Sequence, residues 1–387
     1  MGQVIALINE EFIDSADVTV VKPGDLRWHA SLPDGGVVPP SSPALDAQGR
    51  VYLSHRGGGG QEWLSSFEHD GRPVFTVSSC ASRLSPSVTS DGSAYTTGIG
   101  CTQRHERDGT VAWTVPFGTF DGGLAVATDG SVVILQAQNA YLTRISRQGD
   151  VLWEDTLHED RATQTAAPSI ARNGDIYIGW RPQFGGPHWL SRVSPLGNIL
   201  WTVPDVGYMY GAGAVPVGDR IVSATRYGNV GIHDTSGVLI WEREWGQVTT
   251  AGVSEPVVDL DGNIYIQSSY ALMSYDAAGE IRWYAEPLGS DCGFGVGAPT
   301  LLADGQLLVQ CNVPDGTELC AVDAADGAVA WRSGTNGGIC GSPAVSPDGT
   351  IYVAAGTELL ALWGRVPPLT EGWPTQGGSM RRLHLEQ

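Results

Sequence analysis

The amino-acid sequence predicts an all-β fold, an eight-bladed β-propeller of four-stranded antiparallel blades whose ring is closed by an N-terminal strand. Three observations predict it. One unit recurs about every 38 to 48 residues almost to the end of the chain. Each unit ends on an aromatic anchor, giving Trp28, Phe75, Trp113, Trp153, Trp201, Trp241, Trp283 and Trp331. The last unit stops one strand short, and the first anchor stands in an isolated strand near the N-terminus.

Each unit reads as two hairpins. The first is a strand, a tight polar-Gly turn and a second strand, as in SPAVSPDGTIYV from Ser342, SPALDAQGRVYL from Ser42 and EPVVDLDGNIYI from Glu255. Asp, Asn and Gly tolerate the positive φ such turns need, so the turn sets the register. The second hairpin carries the anchor, as in LCAVDAADGAVAW from Leu319 and MSYDAAGEIRW from Met273. Four strands per unit without helical periodicity make blades around an axis. Three strands over 342–362 and a lone strand over 25–31 complete the eighth blade together, removing an exposed sheet edge. The chain therefore divides into an N-terminal peripheral segment (1–24), the propeller (25–364) and a Pro/Gly-rich extension (365–387) that wraps back as an ordered loop or frays.

Composition narrows the function classes. With 387 residues, 42% hydrophobic and 17% charged, the chain buries a large core. Its 52 glycines beside 13 tryptophans fit many tight turns rather than low complexity. A formal charge of −20 repels phosphate backbones, which speaks against nucleic acid and anionic lipid as partners. No run is long and apolar enough to span a bilayer, and the first twelve residues lack the basic start of a signal peptide, so membrane insertion is not expected and no targeting signal is read in this chain. A single sealed ring predicts a monomer.

The motif Ala321-Val322-Asp323 through Gly327 to Trp331 resembles the tryptophan-docking motif of the PQQ-repeat, quinoprotein alcohol dehydrogenase-like propellers, and shorter forms end at Trp113, Trp153, Trp201, Trp241 and Trp283. The resemblance implies that these side chains stack between neighbouring blades and lock the ring. They are core, not site. The family includes true dehydrogenases and members without a cofactor, among them an outer-membrane barrel-assembly lipoprotein. This sequence has no adjacent Cys-Cys pair and no long insertions between anchors, and the family's calcium ligands and catalytic acid find no matching positions. The expectation is therefore no cofactor, neither PQQ nor calcium. The function expected is a non-catalytic scaffold whose loop face engages a protein or glycan in a periplasmic, cell-envelope or secreted setting. The alternative is a PQQ-dependent dehydrogenase or another propeller enzyme.

Candidate ligand residues fall on the face that carries the inter-blade loops, where rigid scaffolds usually present their sites. Phe120, Tyr208, Tyr210, Trp245 and Phe294 offer a flat apolar surface there. Glu255 stands where sibling repeats carry Ser or Ala, at the channel mouth, and suits a cation or a ligand amine. His158-Glu159-Asp160 is metal-capable but contiguous, and Asp259 to Asn263 reads as turn chemistry. Gly57 to Gly60 lacks the lysine that a phosphate loop requires. The six cysteines allow fifteen pairings. Cys80 with Cys101 and Cys292 with Cys311 stand in the same positional relation, leaving Cys320 with Cys340. The rival arrangement joins Cys311 to Cys320 across a hairpin and Cys292 to Cys340.

Overall fold

A computed structural model describes residues 21–36, 41–80, 84–98, 100–119, 123–136, 141–157, 162–164, 167–182, 187–205, 211–225, 229–244, 253–286, 297–314, 316–335, 338–380 and 382. The described strands form eight antiparallel sheets, one per repeat. Blade 1 runs outward from the axis through Ala44–Leu45, Val51–Arg56, Glu62–Phe67 and Pro73–Ser78. Blades 2 to 7 repeat this order, and blade 4 gains a short extra strand, Ala162–Gln164, on its second strand. In blade 8 the strands Ile339–Val345, Ile351–Ala355 and Glu358–Leu362 are followed by Leu26–Ser31 as the outer strand. The ring is closed by the N-terminal strand.

Local chemistry explains the turns. Asp46 Oδ1 accepts the backbone N–H groups of Gln48 and Arg50, each at 2.9 Å, which fixes the first turn of blade 1. Asp259 does the same for Asp261 and Asn263, so the Asp259 to Asn263 run is a hairpin turn.

A β-bulge interrupts the pairing of the third and outer strands in every blade, next to the docking aromatic. In blade 3, for example, Arg144 pairs with Trp153 and Ile145 with Val151, leaving Leu152 as the extra residue. A bulge raises the local twist and re-aims its neighbours. The bulged Leu152, Leu200 and Ile240 point outward and stay 52%, 49% and 48% exposed, while the adjacent indole turns toward the next blade.

There it meets a glycine. A Cβ on Gly327 would lie 2.8 Å from the Trp283 ring, and one on Gly279 would lie 2.6 Å from Trp241. The same contact pairs Phe75 with Gly109, Trp113 with Gly149, Trp153 with Gly197 and Trp201 with Gly237. Trp331 lies on Gly24 and Trp28 on Gly71, which carries the series through blade 8 and back to blade 1. Most indoles also donate to a turn carbonyl of the next blade, such as Trp283 Nε1 to Ala324 O at 3.0 Å and Trp153 Nε1 to Pro195 O at 3.0 Å. The hydrophobic clusters accordingly lie between blades, one pair of sheets to each.

The seam reproduces an ordinary turn from two distant pieces of chain. In blade 1 the outer hairpin closes with Gly71 N–H donating to Glu68 O and Glu68 N–H to Arg72 O. In blade 8 Gly24 N–H donates to Trp363 O at 2.7 Å and Trp363 N–H to Asp25 O at 2.8 Å. The bonds are those of the other hairpins, with the covalent link between Trp363 and Gly24 missing. Arg27, the bulged residue here, lies over the Trp363 ring at 4.6 Å.

Candidate functional site: the axial channel

Each inner strand pairs on one side with its own blade and turns its other edge toward the axis. That edge carries backbone donors and acceptors that need partners. The C-terminal segment supplies them. Leaving blade 8, it enters the channel at the end that carries the tight turns, where Ala303 N–H donates to Pro367 O at 3.0 Å and Leu369 N–H to Leu301 O at 2.9 Å. It then crosses to blade 6, where Trp373 and Val258 exchange both backbone hydrogen bonds at 2.9 Å. Pro367, Pro368 and Pro374 hold the segment extended, as proline and the residue before it prefer. Gly377 and Gly378, with φ of 67° and 70°, reverse it near the inner strands' N-terminal ends. On its return Met380 O accepts Leu45 N–H of blade 1 at 2.9 Å, and Arg382 O accepts the Ser87 hydroxyl of blade 2 at 2.6 Å.

Side chains anchor this path in the grooves between blades. Trp373 is fully buried in the cluster of blades 5 and 6, Leu369 packs on that of blades 6 and 7, and Met380 on both clusters flanking blade 8. Arg382 is 1% exposed and is the one described non-glycine residue at positive φ, 57°. Its guanidinium donates to Pro43 O, Thr375 Oγ1, Gln376 O, Ser342 O and Pro343 O at 2.7 to 3.2 Å. It thereby joins blades 8 and 1 to the turn of the segment. Gln376 Oε1 completes that junction by accepting the hydroxyls of Ser42 and Ser342 at 2.7 and 3.1 Å.

Glu255 belongs to this assembly. Its Oε1 accepts Trp373 Nε1 at 2.6 Å and Gly377 N–H at 2.8 Å. Gly213 of blade 5 gives it room, since a Cβ there would lie 3.0 Å from Glu255 Cγ. Burial pushes the Glu255 carboxyl up to about 7 against the pull of its donors and of Arg382, and burial draws the Arg382 guanidinium down to about 9. Sequence reasoning found Glu255 by its departure from the repeat but missed Arg382 and Trp373. Their signal was weak: a lone tryptophan and a basic pair in a segment outside the repeat.

Of the other candidates, Phe120, Tyr208, Tyr210, Trp245, Phe294 and His158 to Asp160 lie outside the described residues. Among the described residues no group of three or more His, Cys, Asp or Glu side chains could hold a metal ion. Disulfides join Cys80 to Cys101 and Cys311 to Cys320. The second pairing replaces the expected Cys292 with Cys311 and Cys320 with Cys340, because Cys311 and Cys320 are diagonal neighbours on adjacent strands of blade 7 with Cα atoms 6.0 Å apart. Cys292 and the side chain of Cys340 lie outside the described residues. The Cys80–Cys101 bridge ties the end of blade 1 to the third strand of blade 2 and closes a loop with a sequence separation of 21. Replacing both cysteines by alanine is expected to cost about 2 to 4 kcal/mol by the chain-entropy argument, measured by urea unfolding of the variant against the parent protein.

Fold and docking geometry together define an eight-bladed propeller of the tryptophan-docked class, similar to the PQQ-repeat proteins. Residues 272–365 match the family model PQQ_2, described as outer membrane protein assembly factor BamB. BamB from Moraxella catarrhalis has the same fold, with 14% identity, coverage of 87% of this chain and 96% of that one, and a TM-score of 0.62. A europium-containing methanol dehydrogenase is similar at 13% identity, 86% and 85% coverage and a TM-score of 0.62. The Dos1 propeller is similar at 13% identity, 87% and 94% coverage and a TM-score of 0.66. The sequence matches no curated protein.

Proposed function

We infer that this protein is a non-catalytic binding scaffold that works outside the cytoplasm and engages a protein partner through the loop face of its propeller. The observation that carries this reading is the occupied axis. Glu255, the one carboxylate the sequence offered at the channel mouth, accepts hydrogen bonds from Trp373 and Gly377 close to Arg382, which supports a structural part for it. The match of residues 272–365 to the BamB model supports a protein partner over a glycan, and the two disulfides support an oxidising compartment. Among the described residues the opposite end of the ring carries the tight hairpin turns and the entry of the C-terminal segment.

The test pairs two measurements. Changing Tyr208, Tyr210 and Trp245 together to serine should lower cross-linked capture of the partner from an envelope extract at least tenfold while the melting curve is retained, with cross-links in the parent protein mapping to that face. Unchanged capture would remove the loop face from the reading. Stoichiometric uptake of PQQ with calcium and dye-linked alcohol oxidation would replace the scaffold with a dehydrogenase.

A further inference from the structure

The geometry points to the axial channel as a peptide-binding groove, with the chain's own segment 366–382 as its resident occupant, a plug that can detach while the ring stays closed. This goes beyond the loop-face reading and does not depend on it. Three observations carry it.

First, the segment binds in the way an extended peptide binds a sheet edge. It forms isolated bridges with the inner strands, Val258 with Trp373 and Leu302 with Pro368, and gives its main-chain groups to donors on several different blades. Second, its anchors are spaced as in a ligand. Leu369, Trp373 and Met380 each enter a groove between blades, and Arg382 ends the described path in a cage of oxygens. Third, the hydrogen bonds that rebuild the turn at Gly24 and Trp363 contain none of it. The aromatic-glycine contacts, the bulges and that turn lie at the outer strands, while the segment's hydrogen bonds to the blades go to the inner strands and the ends that flank them. The groove therefore has its specificity written in this segment: an indole for the pocket between blades 5 and 6, and a guanidinium for the carbonyls of Ser342, Pro343 and Pro43. A partner peptide of that chemistry, extended, with a tryptophan followed some residues later by an arginine, would compete for the same place.

The experiment uses the full chain carrying Trp373→Ala and Arg382→Ala. Hydrogen exchange should show lost protection at Val258, Leu301 and Leu45, whose amides donate to the segment, with protection kept at Gly279 and Gly327 in the docking turns. A fluorescent synthetic peptide of residues 366–382 should bind this variant at least tenfold more tightly than it binds the parent protein. The same peptide with Arg382→Ala should bind at least tenfold more weakly. Protection lost all round the ring would overturn the proposal, since the segment would then be part of the ring's cooperative core. So would a variant whose docking turns stay protected but which takes up no peptide.

Discussion

Trp283→Ala is expected to destabilise the propeller by about 3 to 5 kcal/mol, the usual range for removing a large buried aromatic side chain. The indole is 9% exposed, rests on Tyr265 in its own blade at 6.0 Å and donates to Ala324 O in the next. Truncation therefore opens a cavity between two sheets and takes one of two donors from Ala324 O, which keeps Arg282 Nη1 at 3.2 Å. Gly327 is the other half of the contact. Alanine there meets both a φ of 76° and a Cβ placed 2.8 Å from the indole. The left-handed backbone costs about 1 kcal/mol in either background, but the clash exists only while the indole is present. Urea unfolding of Trp283→Ala, Gly327→Ala and the double variant should therefore give costs that do not add, with Gly327→Ala milder by about 1 kcal/mol or more once the tryptophan is gone. Strict additivity would show that the two residues do not share a contact.

Stability should rise steeply with pH from 4 and level off above about 7. His105, His188 and His233 are 0%, 1% and 1% exposed, and burial lowers the pKa of all three, to about 4 for His105 and His188. A buried neutral histidine binds fewer protons than its unfolded counterpart, so its contribution is complete above the unfolded value near 6.5 and is lost as pH falls toward the folded one. A shift of that size corresponds to about 3 kcal/mol per residue for the first two. Glu255 works in the opposite direction. Its carboxyl is raised, so the folded state holds a proton that the unfolded state releases, and its contribution declines as pH rises from about 4.5 to about 7. Three histidines outweigh one carboxylate until the unfolded imidazoles have lost their protons, so the carboxylate only makes the rise shallower between about 4.5 and 7. Denaturant midpoints across pH 4 to 8 check the curve. Glu255→Gln, which keeps an acceptor oxygen for Trp373 and Gly377, should steepen the rise between about 4.5 and 7 and leave the limb below 4.5 unchanged. A flat profile between 4 and 6.5 would refute the assignment of buried neutral histidines.

The architecture was legible because it repeats. Eight aromatic anchors at near-constant spacing and a missing fourth strand at one end are statements about period, and period survives when individual copies degrade, as at Gly123 to Leu135 and Gly211 to Ser223. The bulge beside each anchor was not legible, because nothing in a string such as VLWED separates a bulged leucine from a paired one. Pairing of Cys311 with Cys320 depended on which way two side chains face across blade 7, and position along the chain alone favoured a different partner for each. Glu255 stood out because its siblings are Ser or Ala, yet its partners lie more than a hundred residues away in a segment with no repeat to compare against. A non-repeating tail has no internal standard, so its Trp373 and Arg382 carried no signal until their surroundings were known.

The rebuilt turn at Gly24 and Trp363 makes this molecule differ from a linear stack of repeats. In an open array the terminal repeats lack one neighbour, fray first and require caps. Here the contact from Trp331 to Gly24 and the one from Trp28 to Gly71 leave no terminal repeat, so every sheet has two neighbours and none is a starting point for melting. Breaking any single interface creates two ends at once where there had been none.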